Sequence, residues 1–268
     1  MIRLLHIIPT LVRGGAEKQL SLLARGLPRS EFEVHVAVLT HSGPLEQELH
    51  DAQVPVTVIG KRWKFDPFCY YRLRRHIRAL TPDIVHTWLF AANAYGRQAA
   101  FSAGVKHIIA GERCVDPWKS NWQLAIDRAL AKHTDRIVTN SSGVEEFYVA
   151  RGLPQEKFAV IPNGVTPPEM ANPINRADLL KELGLPPNAR LIGAVGRLWP
   201  QKRIKDLIWA ADLLKSTRDD SHLLIIGDGP LRERLIRYRE QSQSCGQSHQ
   251  GIPHLVGSAA ENMQGKRH

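Results

Sequence analysis

Leu4 to Pro9 is a short apolar run with the length of a buried strand, and Gly14-Gly15 follow almost at once. From Ala16 to Ala24 the apolar positions recur at helical spacing, so strand, glycine turn and helix open a βαβ unit. The alternation then continues. Strands are predicted at Glu33 to Thr40, Pro55 to Ile59, Asp83 to Thr87, His107 to Ala110 and Arg136 to Thr139. Helices are predicted between them at Leu45 to Ala52, Asp66 to Ala79, Ala91 to Ala103 and Trp118 to Lys132, with a last one at Ser142 to Ala150 opened by a serine cap. Short strands alternating with helices of about ten residues or more indicate a mostly parallel sheet covered on both faces.

A loop rich in proline and asparagine spans Ile161 to Pro173, and the pattern restarts after Pro186-Pro187-Asn188. Leu191 to Gly196, His222 to Ile226 and His254 to Val256 read as strands, Ile204 to Leu214 and Leu231 to Arg239 as helices. The fold class is therefore α/β: two Rossmann-like, doubly wound parallel-sheet domains over residues 1–169 and 170–268, the second incomplete. Gln241 to Gln250 is polar and Glu261 to His268 ends abruptly, leaving too few residues for a second full domain. A C-terminally truncated chain is the expectation.

Composition changes this picture in one respect. Among 268 residues, 36 Lys and Arg face 26 Asp and Glu, a formal charge of +10 that favours an anionic partner. The apolar start is interrupted by His6 and stopped by Pro9, with no cleavage site of small residues after it, so it is not read as a leader. No stretch approaches the roughly 18 apolar residues of a membrane span. Cys69, Cys114 and Cys245 are odd in number and lack metal-ligand spacing, as do His41, His107 and His133. Reduced thiols in a cytoplasmic protein are expected, and no metal.

Three turns are placed where chemistry happens in such folds. Gly14-Gly15 joins a buried strand to a helix start, where backbone amides and the helix dipole favour a phosphate; an ordinary tight turn is the alternative. Val195 to Arg203 leaves the first strand of the second half at the carboxyl edge, with Arg197 and Lys202 as neighbouring cations able to stabilise a leaving diphosphate without a metal, or else as solvated loop charges. Gly227-Asp228-Gly229-Pro230 leaves the next strand; its glycines allow a sharp turn and leave room for a base or ribose, or serve the structural turn alone. Ile161-Pro162-Asn163-Gly164 reads as a structural turn.

Taken in order, Gly14-Gly15-Ala16-Glu17, Pro82 to His86, Ile161 to Gly164, Val195 to Leu198 with Gln201-Lys202, and Ile226 to Pro230 resemble the retaining glycosyltransferases of family four, which have the GT-B fold. The resemblance covers the chain to about Gly257. It implies transfer of a sugar from a nucleotide diphosphate sugar, with retention, to a lipid-linked or cell-surface glycan. By the same resemblance Arg197 and Lys202 contact the donor diphosphate, Gly15 approaches it, Gly229 lies in the nucleotide pocket, and Glu17 and His86 lie on the acceptor side or cleft. The leaving phosphate assists deprotonation of the acceptor, so no catalytic base is named. No cofactor is implied beyond the nucleotide sugar as co-substrate. Two features depart from the family: its two glutamates separated by seven residues are absent, and Arg203 stands where a glycine usually follows Gln-Lys. The first departure leaves open a catalytically impaired remnant.

Lys61 to Phe65 and Tyr70 to Arg78 concentrate basic and aromatic residues. They read either as a peripheral contact with anionic membrane, on its inner face, or as a solvated helix face with Tyr71 and Leu73 or Ile77 buried. Trp63, Trp118 and Trp122 are read as packing residues, with stacking on an acceptor sugar as the alternative. A nucleic-acid module lacks any recognition motif, and a nicotinamide oxidoreductase lacks the spaced glycine fingerprint.

Overall fold

The computed structural model describes residues 1–167, 175–244 and 254–256, and the chain divides into two compact units, Met1–Pro167 and Pro168–His268. The domain junction expected at residues 169 and 170 lies outside the described residues, as do Cys245 and the tail from Glu261 to His268.

In the first unit, strands β1 (Ile2–Thr10), β2 (Phe32–His41), β3 (Val56–Val58), β4 (Ile84–Trp88), β5 (His107–Glu112), β6 (Arg136–Thr139) and β7 (Phe158–Val160) form one sheet. Its order is β3-β2-β1-β4-β5-β6-β7, and all neighbours run parallel. The connecting helices are α1 (Gly15–Gly26), α2 (Leu45–Asp51), α3 (Pro67–Leu80), α4 (Leu89–Ala103), α5 (Asn121–Ala131) and α6 (Ser142–Val149). From Leu4 to Ile8 every residue of β1 is buried, as a strand covered on both faces demands. Leu5 and Ile7 pack with Leu73, Ile77 and Ala99 of α3 and α4. Ile8 packs instead with Leu20 and Ala24 of α1 and Leu49 of α2. Each such side chain contributes roughly 1.5–3 kcal/mol when fully buried.

Local chemistry sets the ends of α3. The Asp66 carboxylate accepts from the Cys69 N–H at 2.9 Å, and Pro67 occupies the first turn, where its missing N–H has no cost. Cys69, Leu73 and Ile77 form its buried stripe. Tyr71 is 62% exposed and does not belong to that stripe; the expected burial of Tyr71 is wrong because it falls two positions away from Cys69 and Leu73.

The second unit contains α7 (Arg176–Glu182), β8 (Arg190–Val195), α8 (Ile204–Lys215), β9 (Ser221–Ile226), α9 (Arg232–Ser244) and β10 (His254–Val256). Its three-stranded sheet has the order β10-β9-β8 and is parallel. Leu198, Ile204, Ile208, Leu223, Ile225 and Leu235 form its core. The strand at β8 is at an edge among the described residues, and Val195 is 82% exposed.

Several boundaries differ from expectation. Helix α5 starts at Asn121 rather than Trp118, because Ser120 and Gln123 close a capping box and Lys119 is drawn into the interior. Helix α6 has Ser141 at its cap position, but no side-chain hydrogen bond caps it. The short strand β7 and helix α7 lie in segments that carried no prediction. Helix α9 continues through the polar Gln241 to Ser244, where amphipathic periodicity had already ended.

Candidate functional site

The strand order reverses between β1 and β4, which is where doubly wound sheets bind ligands. His6 and His86 stand opposite each other in register at this point, with ring centroids 5.3 Å apart. The Trp88 indole N–H donates to His6 Nδ1 at 3.2 Å, and the His86 and Trp88 rings lie 4.5 Å apart. Both imidazoles leave Nε2 buried and without a hydrogen-bond partner among the described residues. Burial lowers the His6 pKa to about 3. It also holds His86 well below the ordinary range, with charge on His6 and Arg113 acting in the same direction. Both rings are neutral at pH 7.

Around this pair three loops are tied together. Gly14 adopts an extended conformation ahead of α1, and the Glu17 carboxylate folds over it so closely that a Cβ at Gly14 would meet Glu17 Oε2 at 2.2 Å. A Cβ at Gly15 would meet nothing within 4 Å, so this turn is open on the side of Gly15. The Gln19 side-chain amide bonds Gly164, and the Asn163 side chain accepts from the Arg113 guanidinium. That guanidinium lies 5.2 Å from the Trp88 ring. The structure thus gathers Gly14, Gly15, Glu17 and the loop Pro162-Asn163-Gly164 through α1, and His86 with Arg113 through Trp88. Sequence reading missed Arg113, although the rule that selected His86, a residue at the carboxyl end of a central strand, selects Arg113 after β5 equally well. The hydrogen bonds of Asn163 and Gly164 run to Arg113 and Gln19.

Behind Arg113 the segment 114–120 is fixed by a buried charge network. Lys119 Nζ, with a wholly buried side chain, donates to Glu112 at 3.2 Å, Asp127 at 3.0 Å and the Tyr148 hydroxyl at 2.8 Å. Arg97 pairs with Asp127 at 2.5 Å, and the Tyr148 hydroxyl donates to Glu112 at 2.9 Å. Burial raises the Glu112 pKa, and the charge on Asp127 adds to the rise. Burial likewise pushes Cys69 up to about 11 and Cys114 up to about 12, so neither thiol is a nucleophile at neutral pH.

In the second unit, two strand-to-helix loops lie backbone against backbone at the carboxyl end of the sheet. Gly196 N–H donates to Ile226 O at 3.0 Å, and Leu198 N–H to Asp228 O at 2.9 Å. A Cβ on Gly227 would stand 1.9 Å from Gly196 O, and one on Gly229 would stand 2.7 Å from Leu198 O. The Cβ direction of Gly229 is therefore filled by the Leu198 backbone, as a close structural turn requires. Arg197 lies with its guanidinium 5.6 Å from the Trp199 ring, and Lys202 sits in a short helical turn at Pro200–Lys202 just before α8. Both cations are exposed. Among the described residues neither has a carboxylate within salt-bridge distance. Arg203 adopts φ 51°, in the left-handed region, and pairs with Asp206 at 2.5 Å. A glycine at this position would take that conformation freely.

Residues 13–168 match Glycosyltransferase Family 4 and residues 175–250 match Glycosyl transferases group 1. The chain is 30% identical over 230 residues to the UDP-Gal:alpha-D-GlcNAc-diphosphoundecaprenol alpha-1,3-galactosyltransferase of Escherichia coli, covering 81% of this chain and 59% of that protein. It is 29% identical over 175 residues to the GDP-mannose-dependent alpha-mannosyltransferase of Mycobacterium tuberculosis (strain CDC 1551 / Oshkosh), covering 62% and 44%. The chain thus spans less than two thirds of either relative. Among solved structures, Anabaena Alr3699/HepE in complex with UDP shares the fold with a TM-score of 0.77 at 19% identity, over 97% of this chain and 70% of that one. With more than half of its residues in the first of these matches and two parallel-sheet units of GT-B type, the chain belongs to glycosyltransferase family 4.

Proposed function

We propose that this chain transfers a hexosyl group from a nucleoside diphosphate sugar to a lipid-linked glycan acceptor, with retention at the anomeric carbon. The observation that carries the reading is the pair Arg197 and Lys202: two exposed cations without carboxylate partners among the described residues, on the loop that leaves β8 at the carboxyl end of a parallel sheet. As the sugar departs, negative charge grows on the diphosphate, and two neighbouring cations stabilise it more in the transition state than in the ground state. In the first unit Gly14 and Gly15 offer backbone N–H groups at the start of α1 to a phosphate, and in the second Gly229 is assigned to the nucleotide pocket. The diphosphate of the donor serves as leaving group and helps remove the acceptor proton, so no side-chain nucleophile is required and no cofactor or metal is invoked. Glu17, His86 and Arg113 line the acceptor side. The relative from Escherichia coli supports a lipid-diphosphate acceptor. Among the described residues no helix is long and apolar enough to cross a membrane, and the proposed working place is the inner face of the membrane, reached peripherally.

The test is incubation of the chain with UDP-galactose, UDP-glucose or GDP-mannose and a GlcNAc-diphosphate lipid, with product configuration read by NMR. An α-linked product supports the reading, and a β-linked product overturns retention. A second reading, a catalytically impaired remnant, is tested alongside. On that reading the chain holds an acceptor but binds the donor too weakly to turn over. Calorimetric titration with UDP separates the two, since a donor-impaired chain shows no saturable heat.

A further inference from the structure

A cavity of about 580 Å³ opens in the first unit between the segment before α3 and the helices α4 and α5. That volume falls within the roughly 300–1,000 Å³ of small-molecule sites. Phe65, Tyr70, Phe90, Tyr95, Trp122 and Ile126 line it, with Lys61 and Lys64 among the bordering residues. The Trp122 ring lies 5.6 Å from Phe65 and 6.4 Å from Phe90. Trp118, 6.3 Å from Phe90, is exposed together with Trp63, Phe68 and Tyr71. These tryptophans are thus not the packing residues expected from sequence; they leave a large apolar surface open to solvent.

The polar groups of this lining are mostly engaged by protein. Tyr70 OH bonds Ser102 at 2.8 Å, Tyr95 OH accepts from the Asp66 N–H at 2.7 Å, and Gln123 Oε1 is held by Ser120 at 2.8 Å. A sugar ring would find few partners here, whereas hydrocarbon needs none. The cations are the reverse. Among the described residues no carboxylate lies within salt-bridge distance of Lys61, Arg62 or Lys64. The lining is also fixed in advance: Asp66 ties Arg62 to Cys69, and Lys61 Nζ bonds the Trp63 carbonyl at 2.5 Å. An apolar hole with unpaired positive charge beside it matches an amphiphile with an anionic head and a hydrocarbon tail.

We propose that this cavity takes the hydrocarbon chain of the lipid-linked acceptor, with Lys61, Arg62 and Lys64 facing its phosphate groups. The proposal rests on the lipid-linked acceptor of the proposed function and adds the place where the lipid is held. It separates this site from a mere contact of basic helix α3 with the bilayer surface, because a tail inside the cavity depends on the cavity's shape.

The full chain is titrated with farnesyl diphosphate, inorganic pyrophosphate and farnesol, with tryptophan fluorescence as the readout. Farnesyl diphosphate is expected to bind saturably and at least tenfold more tightly than pyrophosphate. Ala94→Trp fills the cavity from α4 and is expected to weaken binding at least tenfold. Ala129→Trp does the same from an exposed position on α5, where folding is little affected. Lys61→Gln with Lys64→Gln is expected to weaken farnesyl diphosphate several-fold and leave farnesol unchanged. Equal affinity for farnesyl diphosphate and pyrophosphate overturns the proposal. So does unchanged binding in Ala129→Trp, or sedimentation with anionic vesicles in the absence of any farnesyl diphosphate binding. Sugar transfer lost while this binding persists strikes the proposed function alone; binding lost while transfer persists strikes the cavity alone.

Discussion

Gln19 and Gly164 are joined by two reciprocal hydrogen bonds across 145 residues of sequence: the Gln19 amide donates to the Gly164 carbonyl at 2.7 Å and accepts from its N–H at 2.8 Å. The side chain imitates a strand partner, and it fixes the loop Pro162-Asn163-Gly164 to the helix that begins at Gly15. The same loop holds Arg113 through Asn163. A single glutamine therefore links the glycine turn to the cation behind β5.

Gln19→Ala removes both bonds. Each contributes roughly 0.5–1.5 kcal/mol, and partial exposure at this site favours the lower end, so a loss of about 1–2 kcal/mol is expected in urea unfolding. Gln19→Glu is expected to lose only the donated bond and to fall between. An unchanged midpoint in Gln19→Ala would mean that the loop is held by other contacts.

The positive φ of Arg203 gives a second prediction. A non-glycine residue in the left-handed region costs roughly 1–2 kcal/mol, partly offset in a glycine variant by greater freedom of the unfolded chain. Arg203→Gly is expected to be more stable than Arg203→Ala by about 1 kcal/mol, measured as the difference in thermal midpoint. Both variants lose the exposed pair with Asp206, so their comparison isolates the backbone. Equal stabilities would show that the turn carries no strain.

The alternation of apolar strands with amphipathic helices made the first sheet legible: β1, β4 and β6 fall within two residues of expectation, because strands buried on both faces are written as continuous apolar runs. What escaped has a physical cause in each case. Strand β7 is three residues long and ends in a proline loop, so it has no period to read. Lys119 appears in sequence as a solvated charge within a helix, and only folding gathers Glu112, Asp127 and Tyr148 around it from β5, α5 and α6. The candidate turns at Gly14-Gly15 and Arg197 were legible because position at a strand's carboxyl end is itself the signal. The occupation of the Gly229 side by Leu198 was not, because a glycine that admits a ligand and one that admits another loop are identical in sequence.

Lys119→Met tests that network. The substitution leaves Glu112, Asp116 and Asp127 buried or nearly so with Arg97, paired to Asp127, as the remaining cation and only neutral donors at Glu112 and Asp116, and loss of one member of a buried ion cluster costs roughly 3–5 kcal/mol. A large fall in the urea midpoint at pH 7 is expected. A shift within a few tenths of a kcal/mol would contradict the buried placement of Lys119.

The paired imidazoles give a pH dependence. His6 has a folded pKa of about 3 against an ordinary 6.5, and His86 is depressed in the same sense. Between these limits the unfolded chain binds more protons than the folded one, so stability is full above pH 6.5 and falls as the pH drops toward 3. Each histidine contributes a slope of at most about 1.4 kcal/mol per pH unit. Urea unfolding of the wild type and His6→Gln from pH 7.5 to 5 is expected to give a shallower decline in the variant. The subtraction cancels Glu112, whose raised pKa acts in the opposite direction. Parallel curves would mean that His6 is not held neutral.

The most direct measurement is calorimetric titration of the wild type, Arg197→Ala and Lys202→Ala with UDP and with uridine. Charge-assisted hydrogen bonds to a diphosphate are worth roughly 1.5–3 kcal/mol each, about ten- to a hundredfold in affinity. Each variant is expected to lose at least tenfold for UDP while its uridine affinity changes little. UDP affinity unchanged in both variants, or lost in step with uridine, would contradict the assignment of Arg197 and Lys202 to the donor diphosphate.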